Sequence, residues 1–214
     1  MTLSNARPSP AADHTPDHPA ARASEPVRAA EVTAALRELG ELALLAAGTL
    51  GESVAVAATL VRDTVRAGGT LYFCGNGGSA ADAQHMATEY VVRYRRNRRA
   101  YPAVAFTTDT SLLTACGNDF GFDEVFARQV EAFCRPADLL IVHSTSGNSP
   151  NVLRAAEAAR ALGVRVLALS ARDGGALRAL ADHTVTIPTE RTDRAQELHL
   201  CVQHLICDLV EAEL

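Results

Sequence analysis

The sequence contains no lysine, so all 20 of its basic residues are arginines. A Walker-type phosphate loop, a Schiff-base aldolase and a pyridoxal enzyme each depend on a lysine, and all three classes are therefore excluded. The formal net charge is −5, and the only strongly basic stretch is RYRRNRR at 93–99. Such a run is typical of a solvated helix end or an interface. Because a broad basic face is lacking, we expect no nucleic-acid partner.

Long apolar segments are also lacking. No run in the sequence approaches the roughly 20 apolar residues that a membrane-spanning helix requires, so no membrane association is expected. The opening stretch MTLSNARPSPAADHTPDHPA has neither the basic start nor the apolar centre of a secretory signal. The five cysteines include no CxxC pair, and their odd number favours reduced thiols over a disulfide framework. We expect a cytoplasmic protein.

The pattern of apolar residues changes along the chain. Residues 1–27 are rich in Pro, Ala and Asp without an apolar period, and we expect them to form a disordered arm. Helical spacing follows over 29–66, as one or two helices interrupted near Gly51. There is no internal repeat and no sign of a second domain, so residues 28–214 are predicted to form a single domain.

Short apolar strands then alternate with amphipathic helices. Strands are predicted at 70–74, 103–107, 138–144, 164–170 and 184–187. Helices are predicted at 79–95, 122–133, 149–162, 175–181 and 194–213. Continuous apolar strands joined by crossover helices are typical of a parallel sheet that is buried on both faces. The sequence therefore predicts an α/β fold: a three-layer, doubly wound, flavodoxin-like sheet of five parallel strands with an N-terminal helical extension.

Three of the predicted strands end in polar loops, namely CGNGGS, HSTSGNSPN and SARDGG. Ligands of doubly wound folds bind beyond the carboxyl ends of the strands. The second loop places four hydroxyls around one glycine, ahead of a helix: Ser144, Thr145, Ser146 and Ser149. Hydroxyls and amides at the start of a helix can hold a phosphate without a lysine, and four hydroxyls exceed what one N-cap requires. We interpret this loop as a phosphate site.

Histidines and a carboxylate at helical spacing form the second candidate site. His85 and Glu89 lie four residues apart on a predicted helix and so share one face. They are either a surface pair, or two metal ligands, or a ligand and a base. The C-terminal helix carries Gln196, His199 and His204, which can bind ligands or move protons, although a core or interface role is the default for such histidines.

Taken in order, several segments resemble the sugar isomerase (SIS) domain family, and within it the phosphoheptose isomerases. These segments are CGNGGSAADAQHMATE, YPAVAF, GNDFGF, STSGNS, DGG and RAQELHLCVQH. The resemblance covers the chain from about Glu31 to the C-terminus. It implies an SIS-domain fold and conversion of sedoheptulose 7-phosphate to D-glycero-D-manno-heptose 7-phosphate through an enediolate. It also implies a homotetramer with active sites between subunits.

Matched by position, the resemblance implies a role for each site residue. Glu89 is the expected general base and His204 its acid partner. A zinc ion is expected on four ligands: His85, Glu89, Gln196 and His204. Arg93, one helical turn beyond Glu89, is expected in the active site. The substrate is expected to contact Asn76, Gly77, Gly78, Ser79, Glu89, Arg93, Asn118, Asp119, Ser144, Thr145, Ser146, Ser149 and Gln196.

These residue types suit the implied reaction. Converting a ketose to an aldose requires a proton to leave the carbon beside the carbonyl and a proton to return to the neighbouring carbon. A carboxylate suits the first step, and an imidazole can move the oxygen-bound proton near neutral pH. The enediolate needs positive charge or donors nearby, which zinc, Gln196 or Asn118 can supply. Glu89 does not easily serve as both a tight ligand and a free base, so the role of the metal stays open.

The spacing of Gln196 and His204 bears on assembly. Eight residues rise about 12 Å along a helix, so one straight helix does not bring both side chains to one ion. Either the ligands come from two subunits, or the helix begins after Gln196.

Three other functions would also account for the serine loops. A catalytically silent SIS relative that binds a replication initiator lacks the Glu and His that stand here at Glu89 and His204. A sugar-phosphate sensor needs the loops but neither of these residues. An isomerase of another sugar phosphate, such as a hexose, differs only in pocket contacts that the sequence does not reveal.

Overall fold

The computed structural model describes residues 28–214. The expected disordered arm, residues 1–27, lies outside the described residues, so its division from the rest of the chain stays a prediction. Within residues 28–214, no single helix is long and apolar enough to cross a bilayer. The consecutive helices Ala29–Thr49 and Gly51–Arg66 reach the required length and apolarity only when taken together, and the chain bends by 74° between them.

Five strands form one parallel sheet, as predicted. They are β1 (Leu71–Gly75), β2 (Ala103–Ala105), β3 (Leu139–His143), β4 (Arg165–Ala171) and β5 (His183–Ile187). Their order across the sheet is β2-β1-β3-β4-β5, and every neighbouring pair is parallel. The chain therefore winds outward in both directions from the pair β1 and β3, where doubly wound folds open their ligand crevice. The predicted flavodoxin-like fold is confirmed.

Helices cover both faces of this sheet. One face carries α2 (Gly51–Arg66), α3 (Gly78–Val91) and α8 (Thr192–Glu213). The other carries α4 (Thr110–Asp119), a 3₁₀ turn (Phe122–Glu124), α5 (Ala127–Phe133), α6 (Pro150–Ala161) and α7 (Leu177–Leu180). The N-terminal extension is α1 (Ala29–Thr49), which precedes α2.

Each central strand sends alternate side chains into two cores. In β3, Leu139 and Ile141 pack with α2, α3 and α8, whereas Leu140 and Val142 pack against the opposite helices. All five residues of β3 are buried. Because neither face meets water, the strand is apolar at nearly every position, which is why its sequence shows no polar alternation.

The extension α1 is attached to the sheet domain both by the half-buried Leu39 and Leu42, which pack against the core, and by polar contacts. None of its residues is buried. Arg194 donates to the carbonyl of Ala35 at 2.9 Å, and Arg191 forms an ion pair with Glu38 at 2.6 Å. Leu44 is 76% exposed, so much of the apolar face of α1 has no cover within the described residues.

Several predicted boundaries are wrong. Helix α3 ends at Val91 rather than at 95, because the following N–H groups turn to the carboxylate of Glu211 instead of continuing the helix. Consequently, Arg93 does not lie one helical turn beyond Glu89. Helix α4 was not predicted at all. It is capped by Asp109, whose carboxylate accepts a hydrogen bond from the N–H of Leu112.

Other boundaries differ by a few residues. The segment 122–133, predicted as one helix, forms a 3₁₀ turn followed by the separate helix α5. Strand β2 stops at Ala105, and α7 covers only Leu177–Leu180.

Two histidines are buried at the carboxyl ends of the central strands. The side-chain amide of Gln203 donates to Nε2 of His143, and Nε2 of His199 donates to the carbonyl of Ser170 at 2.9 Å. Burial lowers the pKa of His143 to about 3, with the imidazole of His199 as a second cause. Burial likewise lowers the pKa of His199 to about 4. Both imidazoles are therefore neutral at pH 7.

Acid is expected to destabilise the fold through these two histidines. In the unfolded chain each imidazole binds a proton below its ordinary pKa of 6.5, whereas the folded imidazoles stay neutral down to about 4 and 3. The free energy of unfolding therefore falls as the pH drops below 6.5, by up to about 1.4 kcal/mol per pH unit for each histidine. Urea denaturation at pH 7 and pH 5 measures this loss.

The double variant His143→Leu/Gln203→Leu removes both partners of one buried hydrogen bond, which leaves no unpaired polar group. It should lose less stability than the wild type over the same pH interval. An equal loss in the two proteins would contradict this assignment.

Candidate functional site

The loops that follow β1 and β3 meet at the carboxyl edge of the sheet. The side-chain amides of Asn76 and Asn151 exchange two hydrogen bonds, each of 2.8 Å. A Cβ on Gly75 would lie 2.8 Å from the carbonyl oxygen of Ser79 and 2.9 Å from that of His143. Only glycine fits between these two backbones, so the end of β1 is held close to both β3 and the start of α3.

The serine loop (residues 144–149, after β3) packs against the DGG loop (residues 173–175, after β4). Gly147 has a φ of +63°, and a Cβ there would lie 1.9 Å from the carbonyl oxygen of Gly174. The side chain of Asn148 bridges the two loops: it donates to the carbonyl of Ser146 at 2.9 Å and accepts from the N–H of Ala176 at 3.0 Å. The three polar strand ends therefore form one connected surface.

Hydroxyl groups of the serine loop fall into two sets. Ser144 and Ser146 accept hydrogen bonds from the N–H groups of Gly147 and Asn148, both at 3.2 Å, and so shape the loop. The hydroxyls of Thr145 and Ser149 form no hydrogen bond within the described part of the chain. Ser149 precedes Pro150, the first residue of α6, without capping the helix through its side chain. The loop thus offers unbonded hydroxyls at a helix N-terminus, an arrangement that binds anions.

A second polar group lies further along α3. Nε2 of His85 is 3.2 Å from Oε1 of Glu89 and 3.2 Å from Nε2 of His204, which belongs to α8. Tyr94 stacks on the His204 imidazole, with ring centroids 5.0 Å apart and planes inclined by 10°. We call His85, Glu89 and His204 the His–Glu–His cluster. The structure therefore brings together three of the four residues predicted as zinc ligands.

The His–Glu–His cluster fits a metal ion. One ligand atom from each residue lies within 4.8 Å of the other two. Two imidazole nitrogens and a carboxylate oxygen that face one point are the donor set of many zinc sites. Burial lowers the pKa of His204, as do the neighbouring His85 and Arg95, whereas Glu89 raises it. The neutral imidazole that results is the form that binds a metal or donates its N–H to a carbonyl oxygen.

Gln196, the fourth predicted ligand, lies elsewhere. Its amide nitrogen and oxygen would be 2.8 Å and 2.6 Å from a Cβ on Gly78, so it borders the start of α3. His204 borders His85, seven residues further along α3. Because α8 begins at Thr192, the alternative in which the helix starts after Gln196 is wrong. About 12 Å of helix separates Gln196 from His204 within one chain.

Three other predicted residues stay apart from the His–Glu–His cluster. Asn118 and Asp119 are exposed at the end of α4, where the amide of Asn118 donates to Asp119 at 2.8 Å. Within residues 28–214 they form no hydrogen bond with any other predicted site residue. Arg93 is likewise exposed, in the segment that follows α3. The predicted substrate-binding set is therefore only partly assembled in one chain.

Sequence reasoning missed several residues that shape these sites. The pairing of Asn151 with Asn76 depends on strand order, which spacing does not reveal. Arg98 belongs to an arginine run that is typical of a solvated helix end or an interface, but its side chain is largely buried and pairs with Glu211. The sequence gives little signal for that pair, because Glu211 lies on a side of the last helix that also carries the polar residues His199 and Gln203.

Comparisons with known proteins agree with this architecture. The model of the SIS domain family matches residues 37–171. The phosphoheptose isomerase of Chlorobaculum parvum is 56% identical over 162 residues, which cover 74% of this chain and 78% of that protein. That of Geobacter sp. (strain M21) is 50% identical over 184 residues, which cover 86% and 96%. The structure of phosphoheptose isomerase GmhA from Neisseria gonorrhoeae has a TM-score of 0.81 at 42% identity, covering 86% of this chain and 98% of that one.

Substitution Gly147→Ala is expected to disrupt the serine loop. The added Cβ would overlap a backbone carbonyl in a left-handed conformation, so the loop must move away from the DGG loop. Gly163→Ala is the matched control, because Gly163 has a φ of +72° and open space around it. The control should cost about 1–2 kcal/mol of stability through backbone strain alone. Gly147→Ala should cost more and should also weaken binding of inorganic phosphate, measured by calorimetry. Equal phosphate affinities in the two variants would contradict the prediction.

Proposed function

Because the chain belongs to the SIS domain family and to its phosphoheptose isomerases, we propose that it is a sugar-phosphate isomerase that converts sedoheptulose 7-phosphate to D-glycero-D-manno-heptose 7-phosphate. The observation that carries the proposal is the convergence of Glu89 and His204 on one point, since they come from distant parts of the sequence. A carboxylate and a neutral imidazole are the acid–base pair that this reaction requires. A protein that only binds a sugar phosphate requires neither.

Substrate binding is assigned to the connected strand ends. The phosphate is placed on the serine loop, where Thr145 and Ser149 have unbonded hydroxyls and the α6 N-terminus supplies positive potential. The sugar hydroxyls are assigned to Asn76, Gly77, Gly78 and Ser79, which form the glycine loop after β1, and to Gln196 beside it. Arg93, Asn118 and Asp119 are assigned to the same substrate.

In the proposed mechanism, Glu89 removes a proton from C1 of the ketose. The C1–H electron pair becomes the C1=C2 bond, and the carbonyl oxygen at C2 takes a proton from the imidazole N–H of His204. The enediol that forms then loses its O1 proton to His204. Its C1=C2 electron pair takes the proton from Glu89 at C2, leaving an aldehyde at C1. Both groups return to their starting state, so the cycle balances.

The lowered pKa of His204 fits this role. Burial is the main cause that lowers the pKa of His204, with His85 and Arg95 as further causes, so the imidazole is neutral at pH 7. A neutral imidazole can donate its N–H to one oxygen and accept a proton from the other, as the transfer between O2 and O1 requires. The pKa of the proton donor is then better matched to that of an enediol than the pKa of an imidazolium ion.

Zinc is proposed as the metal of the His–Glu–His cluster. His85, Glu89 and His204 would hold it, and Gln196 of another subunit would complete the set. When bound, zinc would supply positive charge that stabilises the developing oxygen anion.

A homotetramer with active sites between subunits is proposed from the uncovered surfaces. A groove of about 460 Å³ lies between α1, α2 and α8 and is lined by Ala46, Leu50, Val202 and Leu205, among others. Beside it, Leu44 is 76% and Leu36 is 65% exposed. We assign the groove to α1 of a second copy, because apolar patches of this kind mark interfaces. A second copy would also bring Gln196 to the His–Glu–His cluster, which one chain does not do.

Acid–base variants test the proposed reaction. Wild type is expected to form an aldoheptose 7-phosphate and to exchange the C1 proton with solvent. Glu89→Gln and His204→Ala should each reduce kcat by about 100- to 10,000-fold while remaining folded. Glu157→Gln, which removes an exposed carboxylate paired with Arg154 on the opposite layer, is the control and should retain full activity.

The same assay, repeated with a chelator, tests whether the enzyme depends on a metal. Loss of activity on chelation and its recovery with Zn²⁺ would support the zinc proposal. If the wild type binds the sugar without exchange or turnover, a sensor or an initiator-binding relative is the better description. Turnover of a hexose phosphate in preference to the heptose would identify a different isomerase.

Substitution Leu44→Asp tests the assembly. A charge on the exposed face of α1 should prevent association, so light scattering should give a smaller particle than the wild-type tetramer, with an unchanged circular dichroism spectrum. Activity should fall in parallel, because the site would lack its second subunit. Leu162→Asp, on an exposed leucine at the far end of α6, should leave mass and activity unchanged. A fully active monomeric wild type would exclude the proposal.

A further inference from the structure

Glu211, near the end of α8, binds the backbone of the segment that follows α3. Its side chain is fully buried. The carboxylate accepts hydrogen bonds from three consecutive N–H groups, those of Tyr94 and Arg95 at 2.9 Å and that of Arg96 at 3.0 Å. These donors would otherwise continue α3 or face water, so Glu211 fixes where the helix ends and where the chain goes next.

Arg98 extends this contact to the last turn of α3. Its Nε lies 2.9 Å from Oε1 of Glu211, as an ion pair without the alignment of a hydrogen bond, and its side chain is 9% exposed. The guanidinium donates to the carbonyl of Glu89 at 2.7 Å and to that of Tyr90 at 2.8 Å. It also lies 4.1 Å from the ring centroid of Tyr101. Carbonyls in the last turn of a helix lack intrahelical donors, and Arg98 supplies them.

The contacts of Arg98 and those of Glu211 each support one residue of the proposed acid–base pair. Arg98 holds the backbone of Glu89 itself. Glu211 holds the backbone of Tyr94, whose ring stacks on the imidazole of His204. His204 also lies two helical turns before Glu211 on α8, and therefore on nearly the same face. One buried carboxylate thus connects the supports of the base and of its acid partner.

We propose that Glu211 and Arg98 are positioning residues for the isomerisation, which set the distance between Glu89 and His204 without touching the substrate. This inference rests on the proposed function of those two residues. Neither Glu211 nor Arg98 belongs to the set of residues assigned to substrate or metal.

Energetics favour a positional over a purely stabilising role. Desolvating two charges offsets most of their attraction, so a buried ion pair adds little net stability compared with apolar residues of similar size. Such a pair instead fixes the relative orientation of the groups, because three N–H groups and a planar guanidinium meet the carboxylate in one geometry. Burial raises the pKa of Glu211, but the N–H groups of Tyr94, Arg96 and Arg95 and the charge of Arg98 outweigh it and lower the pKa overall. The carboxylate therefore stays ionised in its buried site.

Two conservative variants test the inference. Glu211→Gln keeps the size of the side chain but removes the charge, and Arg98→Lys keeps the charge but loses the planar fork that spans two carbonyls. In the folded holoenzyme at a temperature well below the melting midpoint, each should lower kcat about 10- to 100-fold with little change in KM. The affinity of the metal-free protein for Zn²⁺ should fall by a similar factor, because Glu89 and His204 are also proposed ligands.

Glu213→Gln is the matched control. Glu213 lies two residues from Glu211 and forms an ion pair with Arg62 at 2.8 Å, but it is half exposed and contacts no proposed catalytic residue. It should leave kcat, KM and Zn²⁺ affinity unchanged.

The results of these experiments distinguish a failure of the positioning role from a failure of the proposed function. If Glu211→Gln or Arg98→Lys lowers only the melting temperature, with kcat and Zn²⁺ affinity as in the wild type, the positioning role is wrong. If Glu211→Gln does not fold, Arg98→Lys decides the question by itself. A wild type that does not turn over sedoheptulose 7-phosphate contradicts the proposed function, whereas the Zn²⁺ affinities of the variants still test the positioning role.

Discussion

Helix α8 lies along α3 in the same direction, and the two helices meet at three levels. Gln196 borders Gly78 at the glycine loop, His204 meets His85 further along, and Glu211 binds the segment after α3. Successive contacts are eight and seven residues apart on α8, about 80° more and about 20° less than two full turns, so all three lie on one side of the helix. A rotation of α8 by one residue would turn that face by about 100° and break all three contacts. The geometry of the site is therefore a property of helix packing rather than of any one loop.

The sheet explains why these helices are parallel. In a doubly wound fold each helix runs back antiparallel to the strands, so α3 and α8 begin at the same edge, where the loops after β1 and β3 lie. Their N-termini therefore add partial positive charge at that edge, in a chain that lacks lysine. The His–Glu–His cluster lies about 10 Å further along α3, at 1.5 Å per residue. The fold thus separates the proposed phosphate-binding end from the proposed acid–base pair.

Sequence reasoning reached the sheet because β1, β3 and β4 are buried on both faces and are therefore apolar at most positions. It missed α4, of which only Cys116 is buried, because a helix at the surface leaves a weak periodic signal. It extended α3 too far because YVVRYRRNRR contains no glycine or proline, and the actual stop is the distant carboxylate of Glu211. Local clusters of hydroxyls and the helical spacing of His85 and Glu89 indicated two candidate sites, whereas the other candidate residues were implied by the family resemblance. Their supports, such as Asn151 and Arg98, were not predicted, since those contacts depend on tertiary packing.

The supporting network bears on the choice between an enzyme and a binding protein. A sensor of sugar phosphates needs the serine loop and the helix N-terminus, and neither depends on Arg98 or Glu211. The ion pair is instead placed at the far end of α3, where it orders the backbone of Glu89 and the ring against His204. Burying two charges there has a desolvation cost that phosphate binding does not require. Its location is best explained if Glu89 and His204 must be held at a defined separation, which is a requirement of proton transfer rather than of binding.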